Sequence, residues 1–188
     1  MFRLILLLSL LPIAAALLAR WWFGLRVLAT EGKQVCRCDL AQWMPPPGDA
    51  ALVHRAQKSA SEFGHELRLK ALADWRLEDP KAAAAREGTR RFGKAAPPLC
   101  MMIAVFALLV HKVPLAGALA IVAAATAIAA VLGLLSLPAE LQAIARTVNG
   151  LKKQGCFPSR DDEETVIRCA AAHAWCDSPP AIFRWFQG

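Results

Sequence analysis

The run LAGALAIVAAATAIAAVLGLLSL, Leu115–Leu137, decides the fold. It is 23 residues long and carries no charged side chain. As a helix it reaches about 34 Å, enough to cross a hydrocarbon layer of about 30 Å. Immediately before it, Pro97–Val110 is also apolar, though short for a span, and only His111-Lys112-Val113-Pro114 separates the two. Two apolar helices joined by so short a polar turn read as a transmembrane hairpin over residues 97–137. The alternative is a buried core hairpin of a soluble protein, and a charge-free run of this length argues against it.

The rest of the composition agrees with a membrane setting. The chain has 188 residues, of which 56% are hydrophobic, and no Tyr. That is more apolar than an ordinary soluble domain of this size. A third apolar stretch, Phe2–Ala19, precedes Arg20-Trp21-Trp22, and paired Trp suits a membrane interface. Residues 1–22 therefore read as an N-terminal anchor, with a cleaved signal as the alternative, since Ala14-Ala15-Ala16 or Ala19 offers a small cleavage site. The formal net charge of +7 suits anionic lipid. It does not point to nucleic acid, because the basic residues are dispersed and no binding signature accompanies them.

Charge also gives an orientation. Arg20, Arg26, Arg90, Arg91, Lys94, Arg146, Lys152 and Lys153 flank the spans on the side of the two longer polar segments. The hairpin turn holds only Lys112, and the N-terminus only Arg3. The positive-inside rule puts residues 23–96 and 138–188 in the cytoplasm. Cys36, Cys38, Cys100, Cys156, Cys169 and Cys176 show no disulfide-framework spacing, which fits a reducing compartment.

Within the polar segments, Gln34–Leu40 alternates and suggests a short strand, and Pro45-Pro46-Pro47-Gly48 is a break. Asp49 is placed to cap a helix over Ala50–Trp75, with Leu52, Ala56, Ala60, Phe63, Leu67 and Ala71 as its buried stripe. Lys81–Lys94 reads as a charged helix or connector. Pro138–Val148 reads as a separate amphipathic helix with Leu141, Ile144, Ala145 and Val148 on one face, stopped by Asn149-Gly150. A last helix is capped by Ser159, carries acids from Asp161 to Glu164 at its positive end, and stops at Asp177-Ser178-Pro179-Pro180. Ile182, Phe183, Trp185 and Phe186 form a small apolar tail.

The chemistry centres on Ser61-Glu62-Phe63-Gly64-His65. In H-E-x-x-H, two histidines one turn apart bind zinc and the glutamate between them is the general base. Here Ser61 takes the place of the first histidine, His65 is the second and Glu62 stands at the base position. Gly64 would let another backbone approach closely. The plainer reading of Glu62 is a solvated residue in a Lys58–Glu62–Glu66–Lys70 ladder. Among other donors, His54 lies about 16 Å from His65 along one helix, too far to share an ion. Cys169, His173 and Cys176 share a helix face and could hold a soft metal, or could be a core-facing stripe of small residues beside Ala170 and Ala174. Cys36 and Cys38 are too close in sequence for a usual zinc knuckle. A Ser61–His65 nucleophile pair lacks an orienting acid and an oxyanion hole.

The wider stretch Ala60–Leu67 resembles the active-site helix of the neutral zinc metallopeptidases of bacterial membranes, whose pattern is close to A-H-E-V-G-H-A-x-Q. The surrounding features follow in the same order. A strand like Val35–Leu40 comes first; Gly88-Thr89-Arg90-Arg91-Phe92-Gly93 and an apolar hairpin follow the helix. Leu137-Pro138-Ala139-Glu140-Leu141-Gln142-Ala143 then resembles the family's L-P-V-E-F-x-A-S segment, and a helix with an acidic start closes the series. The similarity covers about residues 30–175. It implies a mainly α, membrane-anchored, zincin-like domain with a short strand and a transmembrane hairpin. It also implies zinc on the residues at positions 61, 65 and 140, with Glu62 as base. Serine is a poor zinc ligand and catalytic zinc needs three protein ligands plus water. Glu140 alternatively reads as an ordinary first-turn acid beside Pro138. The resulting expectation is a multi-pass membrane pseudopeptidase that contacts lipid and a protein partner. The alternatives are an active zinc endopeptidase with an atypical ligand set and a purely structural membrane subunit.

Overall fold

The computed structural model describes residues 2–36, 58–154, 157 and 159–178. Cys38, Asp49, Leu52, His54, Ala56, Cys156 and the Ile182–Phe186 tail, with the expectations placed on them, lie outside the described residues. The chain is mainly α-helical. Helix α1, Phe2–Ala19, continues through a π-helical stretch, Arg20–Leu25, into α2, Arg26–Thr30. Strand β1, Val35–Cys36, pairs antiparallel with β2, Lys58–Ser59, with Val35 opposite Ser59 and Cys36 opposite Lys58. Then come α3, Ala60–Glu78; α4, Pro80–Leu109; α5, Leu115–Gln154; and α6, Arg160–Asp177.

Among the described residues three helices, Phe2–Thr30, Pro80–Leu109 and Leu115–Lys153, are long and apolar enough to cross a membrane. Many of their large apolar side chains face outward: Leu11 is 72% exposed, Phe106 69% and Leu135 72%. A soluble core hairpin would bury these side chains, whereas lipid solvates them at no cost.

The chain divides into two compact units. One holds residues 1–20, 84–138 and 177–188, and the other residues 21–83 and 139–176. In the first, α4 and α5 are antiparallel and joined by a turn in which His111 has φ of 54°. Lys112 N–H donates to Ala107 O, so His111 holds the left-handed position of a Schellman cap, usually a glycine. Arg86 is buried and donates to Gly133 O at 3.0 Å and to Ser136 Oγ. Arg90 pairs with Asp177 at 3.0 Å.

In the second unit, α3 packs against α6 and the later turns of α5. The expected stripe on α3 is buried over its described part, with Ala60, Phe63 and Leu67 all at 0% exposure. Several expected boundaries shift. The helix starts at Ala60, because Lys58-Ser59 is extended and paired to β1, and Ser59 is its cap. The first amides of α3 find partners in the preceding turn: Ala60 N–H donates to Gln34 O at 2.8 Å and Ser61 N–H to Gly32 O at 3.1 Å. Asp79 alone links α3 to α4, accepting from Ala82 N–H at 3.0 Å, with Pro80 at the first helical position. Lys81–Lys94 is part of α4, and Pro97-Pro98 does not break that helix. Pro138 likewise lies inside α5, and Asn149-Gly150 does not end it. The buried face of its later turns is Leu137, Glu140, Ile144, Val148 and Leu151, so Glu140 is no first-turn acid, and Ala145 is exposed.

Candidate functional site

Helix α3 positions Ser61, Glu62, His65 and Arg68; α5 supplies Glu140, and α6 supplies His173. The α3–α6 approach depends on Gly64. A Cβ there would lie 2.7 Å from Ala170 N and from Cys169 Cβ, so only glycine admits this backbone separation. The close approach expected at Gly64 is present, and it sets residues 61 and 65 against α6.

Ser61 and His65 both meet His173. His173 Nε2 lies 3.1 Å from Ser61 Oγ and 3.0 Å from Ser61 O. The rings of His65 and His173 meet edge to face, 5.3 Å apart. A carbonyl oxygen only accepts, so the bond to Ser61 O puts the proton on Nε2. That nitrogen then has no lone pair with which to take the Ser61 hydroxyl proton. The contact is a clasp between helices and not a nucleophile–base pair. Glu62 and His65 are exposed on α3.

Glu140 has the most constrained environment. It is 0% exposed, and its Oε1 accepts from Arg68 Nε at 2.7 Å, with Arg68 NH2 also at 2.7 Å. The Arg68 side chain is 5% exposed, and its NH1 donates to His173 O at 3.2 Å. One guanidinium therefore ties α3 to α5 through a carboxylate and to α6 through a carbonyl. Planar donors of fixed geometry suit this three-way contact.

These residues do not fit a catalytic zinc. Its glutamate oxygen is already held by a buried cation, and its first ligand position is a hydroxyl hydrogen-bonded to His173. Among the described residues, no three His, Cys, Asp or Glu side chains converge on a point that could hold a metal ion. The Cys169–His173–Cys176 face packs instead. Cys169 lies against Gly64, and Cys176 Sγ lies 2.7 Å from where a Gly24 Cβ would be. Burial, then the charges of Glu31 and Cys36, push the Cys169 thiol up to about 11. Burial, followed by Asp162, does the same to Cys36, also to about 11. Thiols held protonated are poor ligands and nucleophiles. The expected charge ladder is rearranged too: Lys58 reaches Glu66 from β2 at 2.8 Å, and Lys70 pairs with Asp74 at 3.5 Å.

Arg68 is the residue that sequence reasoning missed. It stands where the zinc-peptidase helix pattern ends in Gln, one place past the matched Leu67. It also neighbours the buried stripe at Leu67 and Ala71, an unusual place for a cation without a partner. Glu140, three residues after buried Leu137 and four before Ile144, is the acid on a matching buried stripe of α5. Comparison with known protein families, curated proteins and solved structures finds no match.

Proposed function

We propose that this chain is a membrane-bound, metallopeptidase-like protein that has given up zinc catalysis and acts by binding or assembly. The observation that carries this reading is the buried Arg68–Glu140 pair. A guanidinium on α3 lies against the carboxylate that the family resemblance assigns to zinc, 2.7 Å from it. Ser61 at the first ligand position supports the same reading, since its oxygen serves a clasp with His173. The helices of the peptidase-like site are thus held by a fixed internal cation. What remains open to a partner is the exposed side of α3, including Glu62 and His65. The positive flanks of the spans favour a cytoplasmic location for this face.

The test is metal content together with cleavage. Full-length protein purified without chelator is expected to carry well under one zinc per chain and to cleave no peptide in a Glu62-dependent manner. Stoichiometric zinc, with cleavage abolished by Glu62→Gln, would establish an active endopeptidase and end this proposal. The paired substitution Ser61→His/Arg68→Gln is expected to raise zinc occupancy because it restores a ligand and frees Glu140. If that double variant folds and gains none, the likeness is confined to architecture and the chain is a structural membrane subunit.

A further inference from the structure

The two antiparallel helices of the hairpin are unequal in their charge-free lengths. In α5 the run from Leu115 to Leu137 is charge-free, whereas in α4 the last charge is Lys94, leaving only Ala95–Leu109. At 1.5 Å per residue these are about 34 Å and 22 Å. The Arg86 contacts with Gly133 and Ser136 fix the register between the helices. Arg91 and Lys94 follow Arg86 by five and eight residues. Counted back across the turn from Leu109 and Leu115, they are level with α5 residues near 133 and 130, inside its charge-free run. One leaflet thus meets basic side chains at a depth where the neighbouring helix is wholly apolar.

Those side chains face outward. The Arg91 side chain is 78% exposed and makes an i,i−4 surface pair with Glu87, and Lys94 is exposed. Phe92 beside them is 44% exposed. A Cβ added at Gly88 or Gly93 would meet nothing within 4 Å, so the surface around the basic pair is open. Glu87 meets one edge of the Arg91 guanidinium, and cations at that depth are further stabilised by snorkelling, by a locally thinned bilayer or by a phosphate drawn inward. Arginine gives a phosphate two parallel donors, lysine adds a point charge, and Phe92 offers the acyl chains an apolar contact.

We propose that Arg91 and Lys94 on α4 form a binding site for the headgroup of an anionic phospholipid, seated in the step where the apolar part of α4 ends before that of α5. The site is independent of the peptidase-like residues. For the test, the full chain is reconstituted in mixed phosphatidylglycerol and phosphatidylcholine vesicles and re-extracted in mild detergent. Retained lipids are then counted by native mass spectrometry. Wild type is expected to enrich phosphatidylglycerol, with about fivefold lost for each basic residue removed. Arg91→Gln/Lys94→Gln therefore returns the ratio to that of the vesicles. The swap Arg91→Lys/Lys94→Arg keeps the enrichment, and so does Arg168→Gln, which removes a charge in the other unit. Millimolar inorganic phosphate during extraction leaves the lipid in place. Absence of enrichment, enrichment that survives the double Gln variant, loss in the swap, or release of the lipid by inorganic phosphate would each overturn the assignment.

Discussion

At the scale of single residues, Arg68 and Glu140 set the strongest expectation. Removing the cation alone, as in Arg68→Ala, takes the guanidinium from a fully buried carboxylate and should cost about 3–5 kcal/mol in denaturation of the detergent-solubilised protein. Replacing both partners, as in Arg68→Met/Glu140→Leu, should cost far less and can be stabilising, so a double-mutant cycle shows strong coupling. The two buried thiols give a pH dependence whose sign is fixed. Unfolded, each ionises near 9.0; folded, Cys36 and Cys169 keep their protons to about 11. Between those values the folded chain binds more protons than the unfolded one. Stability therefore falls as pH rises through that window and is unaffected by these groups below it. Chemical denaturation at pH 8 and pH 10.5 compares the two regimes, and Cys36→Ser/Cys169→Ser should lose this part of the difference. Ser61, Glu62 and His65 were legible as an incomplete motif because helical spacing alone puts 61 and 65 on one face. Arg68 was not, and His173 was legible only as one of a face with Cys169 and Cys176, since the contacts of both come from a meeting of three helices distant in sequence.

Among the elements, the α3–α6 contact rests on one missing side chain. Gly64→Val forces a branched side chain against Ala170 and Cys169 and should destabilise by about 1–3 kcal/mol, read from thermal unfolding in detergent. The hairpin turn responds in the opposite sense. His111→Gly removes the steric cost of a left-handed residue and should stabilise by up to about 1 kcal/mol in the same measurement. The apolar spans could be read from sequence directly, because lipid imposes an uninterrupted apolar length, but the first helix does not stop where its apolar run does: it passes Ala19 and continues to Thr30. The helix ends in the polar unit were less legible. The start of α3 was not legible, because Lys58 and Ser59 continue the helical spacing in sequence, and it is the pairing of β2 with β1 that makes them extended and leaves Ser59 as the cap. Pro138 and Asn149-Gly150 carry local stop signals, yet α5 passes through all three. Burial of Leu137, Glu140, Ile144, Val148 and Leu151 along one face holds the helix against those local preferences.

For the whole molecule, three apolar helices and a positively charged flank lead to a topology that can be tested in cells. With native cysteines replaced, a reporter cysteine at Lys112 should react with an impermeant maleimide in intact cells. One at Arg76 should react only after permeabilisation, and the reverse pattern would invert the orientation. The apolar runs made this architecture readable, whereas no length or composition marks which polar side chains meet. The buried guanidinium has a further consequence at this scale. A metal ion equilibrates with its surroundings, so a site that depends on it empties as the free ion becomes scarce. A cation carried on α3 cannot be diluted away, because its local concentration is set by the chain that bears it. The helix assembly around Glu140 should therefore keep its shape in a metal-starved cell, and its melting temperature should be indifferent to added chelator.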